Sequence, residues 1–564
     1  MTSTAVSRVT GEAWQRTSRL ASAAAGAAVR RRRVVLAALV AGQWAVIAAE
    51  ALGSITHNGW VYYHGGDAPW YWTSAYTIAH GNVPQSFVGY GWPLLLAPFA
   101  AAFGPDMANG LPAVIVLDVV VLAPVAVVGM YVLGRRIGGA LFGLWTALVW
   151  VAATPLAVHL YNPGNRPTLV DNFLPTGLGL NALSDYPSMV CAIVAACLVV
   201  RAVDRDAWVD GVLAGIAVGM LVMIKPSNGP FAIVAGLVLA VARRRRSLAA
   251  AAAGVVPGLL ALTLWKATGR GNVPLFAQGA SSREASGAIA SVPGVHRYLN
   301  LDWHHLWRNL GLLGEVFWSV RVLEFLFVAG IAALVARSRP KGVFVALWFV
   351  SFGIVKGTFF GANVEDASLY RFLQPAWPAW ILIVAGVVLL WPVGPERRAR
   401  AAAADADRAR TVRPVRTGVA VAAATLFGAV PLAVAAGLRP IARGSVADDV
   451  QHGAIVPVVD FGLRAQALGG GSVRLTWTRH GSGRAAELYR VFRGPTDGCS
   501  FPAAGAPQCD FVDGSPGTTS ARSFTDEHVR GRVVYRVGLQ AVWNRDPTAR
   551  DLVLLSEPVV VDAS

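Results

Sequence analysis

The sequence predicts an all-α polytopic membrane bundle followed by a small C-terminal β-sandwich, and three observations predict it. Only 14% of the 564 residues are charged and 55% are hydrophobic, whereas soluble domains carry about 25% charged residues. The apolar residues are gathered into runs of about 20, the length that spans a bilayer core. After residue 440 the runs give way to short β-branched stretches separated by Gly, Ser, Pro and Asp, the mark of strands and turns.

About eleven runs qualify as spans: 34–54, 111–133, 140–159, 185–201, 209–224, 228–242, 247–265, 319–336, 342–360, 372–391 and 417–438. Residues 1–33 form a basic N-terminus in which Arg30 to Arg33 directly precede the first run. That run is long enough to span and lacks a cleavage pattern, so it reads as an uncleaved first helix. The formal charge of +17 is placed mostly as Arg clusters at the ends of apolar runs, where basic residues orient helices toward the cytoplasm. Nucleic acid is therefore not the expected partner; the lipid bilayer is.

With Arg30–Arg33 inside, threading back and forth puts every strong basic cluster on the same side. These are Arg135 and Arg136, Arg201 and Arg205, Arg243 to Arg246, the group Arg337, Arg339 and Lys341, and the linker 392–416 with its Arg residues. The long polar loops 55–110, 160–184 and 266–318, with a short one at 361–371, then fall outside. So does the domain that follows the last span. The break Lys225-Pro-Ser-Asn228 between two short runs leaves open a tight outer turn or a dip at membrane depth, which a bilayer tolerates only where it is covered by protein. Scarce Lys beside abundant Ala, Gly, Val and Arg points to a GC-rich bacterial genome, hence a bacterial cytoplasmic membrane.

Residues 455–562 contain Val473-Arg-Leu-Thr-Trp477, Leu488-Tyr-Arg-Val-Phe492, Val533-Val-Tyr-Arg-Val537 and Pro558-Val-Val-Val561. With Trp477 early, Ser523-Phe-Thr-Asp526 before a turn and Tyr535 late, the region resembles a fibronectin type III domain. Cys499 and Cys509 flank a Pro/Gly/Ala loop, and a disulfide between them fits an oxidising exterior. Cys191 and Cys197 lie inside an apolar run and read as buried thiols.

The first outer loop reads His64-Gly-Gly-Asp67-Ala-Pro-Trp-Tyr71-Trp, then Ala79-His-Gly81-Asn-Val-Pro84, then Gly89-Tyr-Gly-Trp-Pro93. Later come Leu183-Ser-Asp185-Tyr-Pro-Ser188 at the head of one span and Tyr370-Arg371-Phe-Leu-Gln-Pro375-Ala-Trp-Pro378 at the head of another. Over residues 34–391 this pattern resembles the polytopic GT-C glycosyltransferases, a class that includes protein O-mannosyltransferases and lipid A aminoarabinose transferases. The resemblance implies a polyprenyl-phosphate sugar donor that arrives through the bilayer, and an envelope glycan, lipid or protein as acceptor. It also implies a catalytic acid in the first outer loop, matched here by Asp67. Many members pair two acidic residues there, but Asp67 is followed by Ala68. That favours a general-base or acceptor-orienting role over a metal ligand, with no cofactor assigned and a divalent metal left open.

Elementary chemistry leads to the same residues. Inverting sugar transfer needs a base for the acceptor's proton, and a carboxylate in a partly dry site can serve. The leaving phosphate needs cations: Arg371, Lys225, Lys356 and Lys266 fall at or near outer helix ends in this threading. Tyr71, Asp171, Asp185, Glu365 and Asp366 are candidates to support the site or the acceptor. Each has an ordinary alternative: Asp67 as a helix N-cap, the cations as interfacial anchors, the loop acids as solvated charge. Asp118 lies inside a span, and an intramembrane carboxylate is a functional candidate or a pairing partner within the bundle. No His pair has metal-ligand spacing beyond the adjacent His304-His305, and no metal residue is assigned. Asp204-Arg-Asp206 and Asp405-Ala-Asp407 match the metal-binding pattern of nucleotide-sugar enzymes, yet both fall in inner turns with no nucleotide-binding fold around them. The competing function is a transporter or flippase of a lipid-linked or small polar substrate, which the Lys225 break and Asp118 would suit.

Overall fold

The computed structural model describes residues 26–53, 67–83, 89–268, 301–316, 320–359, 361–390, 417–440, 446–449, 454–478, 486–501, 507–509, 514–542 and 550–563. The helices are α1 Arg32–Gly53, α2 Asp67–Ala79, α3 Gly91–Phe103, α4 Asn109–Gly138, α5 Ala140–Leu160, α6 Arg166–Asn172 and α7 Asp185–Arg205. They continue as α8 Trp208–Ile224, α9 Gly229–Val241, α10 Arg245–Thr268, α11 Trp303–Val316, α12 Val320–Arg337, α13 Arg339–Gly357, α14 Ser368–Leu390 and α15 Thr417–Gly437. Eight are long and apolar enough to cross a membrane: α1, α4, α5, α7, α10 over Arg245–Trp265, α13, α14 and α15. The protein is therefore a multi-pass membrane protein. The other three expected segments fold as shorter apolar helices, α8, α9 and α12. The linker 392–416, with Asp405 and Asp407, lies outside the described residues.

Glycines decide how the Lys225 break is built. A Cβ on Gly211 would lie 2.5 Å from the Ser247 carbonyl, one on Gly215 2.1 Å from that of Ala251, and one on Gly219 3.1 Å from that of Val255. Small residues thus let α8 and α10 touch backbone to backbone, as small-xxx-small faces do in membranes. The matched numbers rise together, so α8 and α10 run parallel. The chain between them must therefore return, and α9 is antiparallel to both. Seventeen residues of α8 rise about 25 Å at 1.5 Å each. The return Pro226–Val241 covers the same height because it opens with a narrower but more extended 3₁₀ turn over Pro226–Asn228, with about 2 Å of rise per residue. At the far end Asp206 accepts from the Ser247 amide at 3.1 Å. Asp204 accepts from Arg136 at 3.2 Å and Lys341 at 2.7 Å. The first Asp-x-Asp is thus occupied in tying together three basic turns.

Beyond α15 the chain is β-rich. Its strands are β1 Asn82–Val83, far upstream, then β2 Arg439–Pro440, β3 Val446–Asp449, β4 Ala454–Val459, β5 Arg464–Gly469, β6 Ser472–Thr476 and β7 Ala486–Pro495. They continue as β8 Cys499–Ser500, β9 Gln508–Cys509, β10 Gly514–Thr519, β11 Ser523–Asp526, β12 Arg532–Val542, β13 Arg550–Ser556 and β14 Val559–Asp562. One sheet has the order β10-β7-β12-β13-β4-β3, with β14 also on β12; a second has β11-β6-β5. Trp477 is buried with its ring 5.5 Å from that of Tyr489. Tyr535 donates to Asp526 at 2.7 Å; burial, and then this bond, push its phenol above the ordinary range. Cys499 and Cys509 form the expected disulfide. The region is not a free appendage. β1 pairs in parallel with β2, and α2 packs on β4 within one apolar core.

Candidate functional site

The loops before α7 are held from both sides. Ser184, just ahead of α7, bonds the Tyr71 hydroxyl of α2 at 2.6 Å, and Trp92 of α3 donates to the Ala182 carbonyl at 2.9 Å. Asn181 folds the intervening turn by accepting from the Leu183 amide at 3.1 Å. Two parts of the segment between α1 and α4, one containing Tyr71 and one the Gly89-Tyr-Gly-Trp return, therefore fix the start of α7. The return also needs its glycines. A Cβ on Gly89 would lie 2.3 Å from the Ile224 carbonyl and one on Gly91 2.7 Å from the Ile224 amide. The loop thus presses against the backbone just before Lys225.

Asp185 opens α7, where the helix dipole favours a carboxylate, and it has no solvent exposure. One oxygen accepts from Lys225 and the other from the Arg371 Nε at 3.0 Å. Lys225 comes from the α8–α9 break, and Asn228 pins that break to α7 by donating to Ser188 at 3.1 Å. Arg371 comes from the head of α14, held nearby by Gln374 donating to the Thr176 carbonyl at 3.2 Å. Lys356, in the last turn of α13, is buried beside them. Three basic groups surround one ring: Lys225 Nζ lies 5.1 Å, Arg371 Cζ 5.6 Å and Lys356 Nζ 5.8 Å from the centre of Phe372. Cation–π attraction acts over such distances and keeps the groups converged. Among the described residues no carboxylate lies within ion-pair distance of Lys356. Among the described residues, two basic side chains thus pair with Asp185 in a buried pocket, and a third, Lys356, converges with them on the Phe372 ring.

Four of the predicted residues, Asp185, Lys225, Lys356 and Arg371, therefore come together, and Tyr71 ties α2 to them. Asp67 is the first residue of α2, one helical turn before Tyr71; its side chain lies outside the described residues. The same holds for Lys266, near the end of α10. Asp171 is exposed on α6. Glu365 is exposed and pairs with Arg308. Asp366 accepts from the Ser368 amide at 2.9 Å, capping α14, while its carbonyl accepts from Asn172 at 3.1 Å. These three acids form a rim apart from the buried cluster. Beside it Tyr161 and Tyr370 join hydroxyls at 3.1 Å, and burial pushes the Tyr161 phenol up, partly offset by that bond.

Sequence reasoning passed over Phe372, the ring the basic groups share, because an aromatic after an arginine at a helix head reads as an interfacial anchor. Asp118 lies elsewhere in the bundle. It sits in a π-helical turn, Leu117–Leu122, with no exposure and with neither carboxylate oxygen hydrogen-bonded. A Cβ on Gly179 would lie 3.0 Å from its Cβ and 2.9 Å from the Tyr186 ring, so loop backbone and that ring stand beside it.

No protein-family model matches the chain, and no curated protein matches it. Among solved structures it is similar to the archaeal oligosaccharyltransferase AglB from Archaeoglobus fulgidus, in complex with an inhibitory peptide and a dolichol-phosphate. The identity is 13% and the TM-score 0.37, over 72% of this chain and 56% of that one. The chain thus spans little more than half the length of that protein. A score of that size does not establish a common fold, and the chemistry of the site rests on its own residues.

Proposed function

We propose that the protein is a membrane glycosyltransferase that takes a sugar from a polyprenyl-phosphate donor and passes it to an envelope acceptor on the extracytoplasmic face. The observation that carries this reading is the convergence of Lys225, Lys356 and Arg371 around Phe372 at the ends of membrane helices, two of them paired with the buried Asp185. Among the described residues basic groups outnumber carboxylates there, and burial raises the value of every charge interaction within the pocket. A phosphate monoester released by sugar transfer carries more charge than the phosphodiester donor. Basic groups placed beforehand therefore stabilise the leaving group more than the substrate, which is the requirement for catalysis. Arg371 adds the forked geometry that suits phosphate oxygens.

In this reading Asp67 is the base. It removes the proton of the acceptor hydroxyl, whose oxygen attacks the sugar's anomeric carbon while the bond to the phosphate oxygen breaks. Tyr71, one turn further along α2 and bonded to Ser184, sets the distance between the base and the phosphate pocket. Lys266 is a more distant phosphate contact, and Asp171, Glu365 and Asp366 are rim groups for the acceptor. The β-rich region, read as a fibronectin type III-like module, packs on α2 and so borders the acceptor side. No cofactor is assigned, and a divalent metal is left open.

Asp67→Asn should lower transfer by about 10²–10⁴-fold, the usual contribution of a general base, while leaving the protein in the membrane. The assay is conversion of a panel of polyprenyl-phosphate sugars by purified enzyme; unchanged turnover in the variant would remove Asp67 from the chemistry. One observation favours a second reading, a flippase or transporter of a lipid-linked substrate: the buried, unpaired Asp118 in a π turn, the kind of group that transport pathways use. Movement of substrate across proteoliposomes without a covalent product would select that reading.

A further inference from the structure

α11 turns apolar side chains both inward and outward, which a helix on a water-soluble surface does not. Its inner side contains His305, Asn309 and Val316, with Leu312 and Leu313 packed on the core, and its outward side presents Trp303, Trp307 and Leu310, which are 50%, 68% and 45% exposed. These three stand at i, i+4 and i+7, a single stripe. A neighbouring stripe of the same helix presents His304, Arg308 and Glu315, all exposed. In water the apolar residues would face the protein; a large indole left outside on a regular stripe calls for an apolar covering.

The inner side shows where the helix sits. His305 Nε2 bonds the Ala362 carbonyl at 2.9 Å, and Asn309 donates to the carbonyls of Ala362 at 2.7 Å and Gly357 at 3.2 Å. Those carbonyls belong to the end of the spanning helix α13 and the turn after it, so α11 lies at the height where a membrane helix ends. Arg308 pairs with Glu365 of the same turn. The helices that α11 packs on are exposed to the same surroundings through apolar side chains, Val328 of α12 and Val350 of α13. Tryptophan concentrates at this depth in membrane proteins, and helices with one apolar and one charged side lie flat there.

We infer that α11 is a bilayer-interface helix, lying along the membrane surface with Trp303, Trp307 and Leu310 sunk among the lipid and His304 and Glu315 turned to water. Because its inner side grips the Gly357 and Ala362 carbonyls, it also ties the segment directly after Lys356 to the height of the bilayer surface. The inference rests on the multi-pass architecture and is independent of the glycosyltransferase reading.

Spin labels test it in the full-length protein reconstituted into phosphatidylethanolamine/phosphatidylglycerol vesicles, on a background in which Cys191 and Cys197 are replaced by Ala. Single variants Trp307→Cys, Leu310→Cys, His304→Cys and Glu315→Cys report the environment by collision with oxygen, which concentrates in lipid, and with a water-soluble nickel chelate. The expected result is oxygen-dominated relaxation at 307 and 310 and nickel-dominated relaxation at 304 and 315. Equal nickel access at all four positions would place the stripe in water. Exclusion of both reagents at 307 and 310 would place protein over it. Either outcome overturns the inference, and 310 serves as the second reporter should the 307 variant misfold.

Discussion

Asp185 and Asp118 are both carboxylates with no solvent exposure inside one helical bundle, and they are handled in opposite ways. Asp185 stands at a helix start, faces a proline-broken hairpin, and binds two basic side chains with a third close by. Asp118 stands within a helix, in a π turn, with both oxygens unpaired. Where the backbone is broken, three different elements can each deliver a long basic side chain to one point. Where the helix runs on, the lining is apolar and backbone. A charge must be matched in such surroundings, because an isolated ion in a dry interior is costly. Besides the Arg201–Asp210 pair, the charge of the described bundle is gathered at the Asp185 site, where three basic groups stand near one described carboxylate.

Removing the counter-charge gives the largest expected effect on that contrast. Asp185→Ala leaves Lys225, Arg371 and Lys356 facing one another, and breaking a buried ion pair from one side costs about 3–5 kcal/mol. Thermal unfolding in detergent should register it as a large drop, and an unchanged transition would mean the cluster is not charged as described. Lys356→Met should act in the opposite sense. It removes a buried basic group with no carboxylate in range and restores a long apolar chain, so stability should hold or rise. Affinity for polyprenyl phosphate should fall about tenfold, the equivalent of about 1.4 kcal/mol and within the range for a hydrogen bond to a charged group. Equal loss of both would make Lys356 a structural residue.

Tyr71→Phe deletes the hydroxyl bonded to Ser184 and should cost about 1 kcal/mol, with a fall in turnover and no change in donor affinity, separable by titration and rate measurement. Asp118→Asn should have the smallest effect, within about 1 kcal/mol, since no ion pair is lost. A loss as large as that of Asp185→Ala would show that Asp118 has a charged partner after all.

Much of the bundle was legible because lipid is a simple solvent: an apolar run between arginines has few alternatives to a spanning helix. The hairpin at Lys225 was legible as a break but not as a direction. That needed Gly211, Gly215 and Gly219 matched against α10, a spacing that is visible in sequence only once the partner helix is known. The candidate site was legible residue by residue and not as a group. Lys225 lies 40 residues from Asp185 and Arg371 lies 186 away, separations that no local pattern bridges. Asp185 reads as one loop acid among several, and only its zero exposure and double pairing set it apart from Asp171 or Glu365. The Trp303 stripe was hidden because its helix lies within a long loop, and a helix that turns apolar residues both inward and outward defeats the usual reading of amphipathicity.

The central claim is that the basic cluster around Phe372 is a phosphate pocket, and direct binding of polyprenyl phosphate tests it most closely. Native mass spectrometry of the purified protein should show one bound polyprenyl phosphate, retained in Asp67→Asn and lost in Arg371→Met and Lys356→Met while both variants remain folded. Undiminished binding in the folded Arg371 and Lys356 variants would contradict the account.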